Sequence, residues 1–171
     1  IGDFPVQYEL EGVPVFEDEY SLAQIVAVDS LIFITTDRRE TLFHVYNKHG
    51  EKKSAFGRIG RGPNEFVRTF AIEDVIQGDS ATRAFMLDEI KRELVVINMT
   101  TSVESNSLNV EERIPLPEKL AGAMDFLSVT QQKFIGVYDD HFHKKHDKRR
   151  GGFYYHQETD SIEFFDLLNV E

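Results

Sequence analysis

The chain has 171 residues, 41% of them hydrophobic and 29% charged, a balance that suits one folded domain with its own core rather than a disordered segment. Its net charge of −11 repels phosphate backbones and argues against nucleic-acid binding, and the absence of cysteine excludes disulfides and thiolate chemistry. No apolar run approaches the roughly 18 residues of a membrane-spanning helix, and 14 Phe with 6 Tyr favour strands.

Phe4–Leu10 alternates apolar and polar residues, as a half-buried strand does, and Pro5 suits the start of a strand or an edge. The chain opens on Ile1 rather than Met, which points to an upstream segment removed in processing, a secretory signal being one candidate. The acidic stretch Glu17-Asp18-Glu19 reads as a solvated loop. Four strands are then predicted within residues 21–57: Gln24–Val28, Leu31–Thr36, Leu42–Tyr46 and Lys53–Phe56. Asp29-Ser30 and Asn47-Lys48-His49-Gly50 join them as turns, because Asn and Gly tolerate the positive φ of tight hairpins.

A second group spans residues 68–117, with strands at Phe70–Val75, Ala84–Leu87, Leu94–Asn98 and roughly Leu108–Ile114. Pro115 and Pro117 close it, since proline cannot donate to a ladder. A third spans residues 122–168, with strands at Phe126–Thr130, Phe134–Tyr138, Phe153–His156 and Ile162–Leu167. It carries an insertion, His141–Gly152, whose cations Lys144, Lys145, Lys148, Arg149 and Arg150 predict an exposed, mobile loop. No helix of useful length is apparent; Pro117–Gly122 has room for one turn.

These groups share a period. Asp37, Asp88 and Asp139 each follow an apolar run, and 88 − 37 = 139 − 88 = 51. Asn47 and Asn98 each close a second run, also 51 apart. A period near 50 built from short strands is that of a β-propeller blade. The expected fold class is all-β, with about three four-stranded antiparallel sheets, and Ala84–Leu87 and Phe134–Tyr138 should superpose on Leu31–Thr36. Strands alone also fit an open sandwich; the fixed register favours the propeller.

The segment joining the first two groups reads Phe56-Gly57-Arg58-Ile59-Gly60-Arg61-Gly62-Pro63-Asn64-Glu65-Phe66. It resembles the phrase between blades of NHL-type propellers, and more closely that of six-bladed TolB-like propellers found as bacterial envelope lipoproteins. There the phrase runs Phe-Gly, then Gly-x-Gly-Pro-Gly-Glu-Phe. Asn64 stands here in place of a glycine, and Asn tolerates left-handed φ. The opening Ile-Gly-Asp-Phe-Pro also resembles the start of such mature domains. The resemblance implies binding or scaffold proteins without known catalytic residues, and no cofactor. It implies six blades where this chain holds about three, so the chain looks like an N-terminal half. Two completions follow: a longer polypeptide carrying the remaining blades, or a homodimer forming one ring, with Phe4–Leu10 as a closing strand in either case.

Three sets of residues are candidate sites. Gly57, Gly60 and Gly62 with Arg58 and Arg61 can be read as an anion cradle, or as a tight turn between blades; a phosphate loop would open a helix, and here a strand follows. His141, His143 and His146 beside Asp139, Asp140 and Asp147 offer metal-ligand chemistry, opposed by the five cations of the same loop. Asp37, Asp88 and Asp139 can line a ligand site from three blades, or accept backbone N–H groups at each strand exit. In a four-stranded antiparallel blade the loops between second and third strands and the loops between blades lie at one end. Asp37, Asp88, Asp139, the Gly-Arg segment and the basic insertion are therefore expected on one face.

The leading functional expectation is a non-catalytic envelope or secreted module that binds a protein, glycan or small ligand. The alternative is a propeller-type hydrolase or lyase with its site on the loop face. The expected location is periplasmic, outer-membrane-associated or secreted, with an upstream lipid anchor compatible with the resemblance.

Overall fold

The computed structural model of the chain describes residues 22–36, 40–69, 71–120, 123–130, 132–139 and 150–165. The expected strand Phe4–Leu10, Asp37, His141, His143, His146 and most of the basic insertion lie outside the described residues. Three four-stranded antiparallel sheets form, each with its strands in chain order, as the period predicts. Blade 1 holds β1 (Leu22–Val28), β2 (Leu31–Thr36), β3 (Phe43–Asn47) and β4 (Lys52–Phe56). Blade 2 holds β5 (Asp74–Gln77), β6 (Thr82–Asp88), β7 (Glu93–Asn98) and β8 (Val110–Pro115). Blade 3 holds β9 (Ala123–Thr130), β10 (Lys133–Asp139), β11 (Arg150–His156) and β12 (Ser161–Phe165).

The blades stack face to face, and side-chain alternation assigns each residue to a seam. Phe33, Phe43, Val45 and Phe56 of blade 1 pack with Ala84, Met86, Val95 and Ile97 of blade 2. Phe85, Leu94, Val96 and Ile114 of blade 2 pack with Phe126, Phe134, Phe153 and Tyr155 of blade 3. Blade 2 is thus apolar on both faces, which is why Leu94–Ile97 is an unbroken apolar run rather than an alternating one. One edge contact crosses the second seam, with the Phe85 and Phe134 rings 5.7 Å apart, and within blade 3 the Phe126 and Phe153 rings meet edge-on at 5.4 Å.

The 51-residue register holds for landmarks but not for every strand. β2, β6 and β10 begin at Leu31, Thr82 and Lys133, and β3 and β7 end at Asn47 and Asn98. Yet Phe33 and Ala84, 51 apart, point into the same seam from opposite blades. A shift of one residue in register reverses the face of a strand. Leu31 pairs with Asn47 and Arg83 with Asn98, so the offset that preserves the face in β2 and β6 is 83 − 31 = 52. Ala84–Leu87 therefore matches Ile32–Thr35, inside the expected strand, with the offset corrected from 51 to 52. The buried counterpart of Asp88 is Thr36, not Asp37.

Two local expectations are also revised. The inner strand of blade 2 starts at Asp74, not Phe70, because the N–H and carbonyl of Ile72 are both bonded by the Gln24 side chain and are not free for β6. A helix is present after all: α1 (Met99–Ser105) lies between β7 and β8. Its Thr- and Ser-rich sequence has weak helix propensity, so caps and packing hold it. Asn98 accepts from the Thr101 N–H at 2.9 Å, Asn106 ends the helix in the left-handed region, and Met99 and Ser102 are buried. The Asn106 side chain accepts from the Ala55 N–H and from the Ser54 hydroxyl, both at 2.8 Å, covering the outer edge of β4. The single turn expected near Pro117 is a 3₁₀ turn at Glu118–Leu120. Among the described residues no helix is long and apolar enough to cross a membrane.

Candidate functional site

Residues 57–69 connect blades 1 and 2. Gly57 takes φ of 80°, and a Cβ there would sit 3.2 Å from Leu42 Cβ and from the Phe43 ring, so the exit from β4 needs glycine. The linker then folds on itself. Gly60 N donates to the Phe66 carbonyl at 2.7 Å and Phe66 N to the Arg58 carbonyl at 3.0 Å, with a parallel bridge between Ile59 and Phe66. Glu65 N bonds the Gly62 carbonyl at 3.2 Å, closing a turn over Pro63 and Asn64. Asn64 is not in the left-handed region, contrary to the sequence expectation; with proline at the second turn position, right-handed geometry serves.

The Glu65 carboxylate accepts from the Gly62 N–H at 2.8 Å, and a Cβ on Gly60 would collide with it. The glycines therefore cradle an anion, and that anion belongs to the chain. Phe66 plugs the seam between blades 1 and 2, fully buried, with the Arg113 guanidinium 5.7 Å from its ring centre. Arg113 is itself held by Glu93 at 2.9 Å. Lys91 Nζ donates to the Glu65 carbonyl at 2.7 Å.

Asp88 is fully buried beneath this loop and accepts from Val67 N at 2.9 Å, Arg68 N at 3.4 Å and Lys91 N at 3.2 Å. Its carboxylate joins the linker to the β6–β7 turn, and Glu89 N adds a bond to the Arg68 carbonyl at 3.0 Å. Loops expected on one face thus touch. Asp139 ends β10, its backbone paired with Arg150. Among the described residues, no group of three His, Asp or Glu is placed to hold a metal ion.

Charge separates the linker from the rest of the chain. It carries Arg58, Arg61 and Arg68 against Glu65, or 3 − 1 = +2, leaving −13 elsewhere. Arg68 pairs with Glu89 at 3.2 Å. Arg58 and Arg61 are exposed and have no partner among the described residues. The linker is a built, positively charged tip on an acidic protein. Sequence reasoning missed Glu65, Lys91 and Arg113. Only Glu65 had a signal, its place in the Gly-Pro-Asn-Glu-Phe phrase.

A second polar group lies where the inner strands meet. Gln24 bonds Ile72, Glu73 accepts from Phe126 N at 3.0 Å, and Asp74 accepts from Ser128 N at 2.8 Å. Burial raises the Glu73 carboxyl above its ordinary range; the Phe126 N–H opposes this, and the charges of Asp125 and Glu89 add to it.

A family model described as a 6-bladed beta-propeller (DUF5128) matches residues 18–167. Among solved structures, the chain resembles a "putative exported protein" from Bacteroides fragilis, with a TM-score of 0.51 and 12% identity. The match covers 92% of this chain and 40% of that one, a likeness of fold over less than half of the longer molecule. No curated protein matches the sequence.

Proposed function

Because the chain belongs to the six-bladed β-propeller family, we propose that it is a non-catalytic binding module of the cell envelope, TolB-like and NHL-like in type, that takes an anionic ligand on its linker face. Residues 1–171 supply the first three blades, about 21–57, 68–117 and 122–168, and further blades complete the ring. The export named for the Bacteroides fragilis neighbour supports a destination outside the cytoplasm; the lipid anchor upstream rests on the resemblance of the linker phrase alone.

The observation that carries the binding reading is the pair Arg58 and Arg61, exposed on a loop braced by Glu65, Asp88 and Lys91. Bracing fixes the backbone from which two guanidinium groups project, so less ordering entropy is lost on binding. Guanidinium forks match carboxylate and sulfate geometry. The −13 charge of the rest of the chain repels anions, so any anion that binds is confined to this tip, and a small ligand suits it better than a long polyanion.

Calorimetric titration with the short oligomer trigalacturonate, and with neutral maltotriose as control, tests the reading. The acidic sugar should bind, the neutral one should not, and R58E/R61E should weaken binding by about tenfold or more, with strong salt dependence. Equal binding by the double variant, or none by the wild type, would contradict it. Fractionation of cells expressing the natural gene tests the location.

A further inference from the structure

The two seams are tied at their inner ends by different chemistry. Between blades 1 and 2, Gln24 Nε2 donates to the Ile72 carbonyl at 3.1 Å and Oε1 accepts from Ile72 N at 2.7 Å. Between blades 2 and 3, Glu73 and Asp74 present carboxylates to Phe126 N and Ser128 N. An amide has no proton to exchange over the physiological range; a carboxylate does.

We infer that the seam between blades 2 and 3 is a pH-responsive clasp, closed more tightly in mild acid, while the Gln24–Ile72 tie between blades 1 and 2 is indifferent to pH. The geometry supplies the cause. Glu73 is half-buried at the seam, and the charged groups around it are acidic: Asp125 at the start of β9, Glu89 on the β6–β7 turn, and Asp74 beside it. Arg68, on the linker, pairs with Glu89. When the seam opens, water reaches the carboxylate and the repulsion falls.

The sign follows from linkage. Burial, then Asp125 and Glu89, raise the Glu73 carboxyl in the closed seam above its ordinary value of 4.5. The closed seam therefore binds the proton more tightly than the open one. Its extra stability is fully present below the ordinary value and is lost as pH rises through the raised one. The Phe126 N–H bond moderates the effect without reversing it.

Amide hydrogen exchange on the full chain from pH 5 to pH 8, corrected for intrinsic rates, tests this. Protection of the Phe126 amide should be about threefold or more higher at pH 5 than at pH 7.5, with that of Ile72 unchanged. Glu73→Gln should abolish the difference, and Asp125→Asn should move the transition to lower pH. An unchanged profile in Glu73→Gln, or an equal response at Ile72, overturns the inference. Should Glu73→Gln not fold, Asp125→Asn decides: a transition that stays in place overturns it.

Discussion

Phe66 is where the linker is fastened to the core, and its neighbours explain the phrase around it. The ring is fully buried in the first seam, and Gly60 and Phe66 exchange bonds with the loop that Glu65 closes. Phe66→Ala should cost about 3–5 kcal/mol in a urea titration, the range for deleting a buried aromatic ring. Gly57→Ala should cost more than about 1 kcal/mol, because it meets both a positive φ and the Leu42 and Phe43 side chains. Tyr155 gives a pH signature. Burial, then the charge of Asp160 and its bond to the hydroxyl, push it up to about 12. The folded chain favours the neutral phenol, so this contribution is intact below about 10 and is lost as pH rises through about 12. Ultraviolet titration should show a late-ionising tyrosine phase, and Tyr155→Phe should diminish it.

At the scale of elements, the strands were legible because their signals are local. Alternation and turn residues placed β2 at its observed limits and β3, β4 and β7 within a residue. Helix α1 was not legible, because Asn98 closes a strand just as Asn47 does. Asn47 bonds its own hairpin, accepting from His49 N and Glu51 N, whereas Asn98 caps a helix, and only the tertiary partner of the next turn distinguishes them. The same holds for Asp88: its spacing from Asp37 was visible, but the one-residue change of register was not, since it depends on which face meets which seam. Asn106→Ala should cost about 1–2 kcal/mol, because it removes a left-handed cap and the acceptor of the Ala55 N–H and the part-buried Ser54 hydroxyl. Faster exchange of the Ala55 amide would accompany the loss; an unchanged amide would show that α1 does not guard the edge of β4.

At the scale of the molecule, the described residues of blade 3 leave an apolar face open. Blade 2 is covered on both sides, but blade 3 turns Leu127 and Val129, each 51% exposed, away from blade 2. These follow the buried Phe126 in alternation, so they occupy the face that would meet a next blade. That some face would lack a neighbour follows from three blades of a six-bladed ring, but which residues line it does not, because the apolar character of a strand does not say whether a neighbour is present. Apolar sheet faces left in water drive association. The reading of the chain as three blades of a six-bladed ring is therefore tested most directly by light scattering on the 171-residue chain across a tenfold concentration range. The account predicts a mean mass that climbs above 19.7 kDa with concentration and returns to that value in the Leu127→Asp, Val129→Asp double variant. A wild-type chain that stays a monodisperse 19.7 kDa monomer throughout would contradict it.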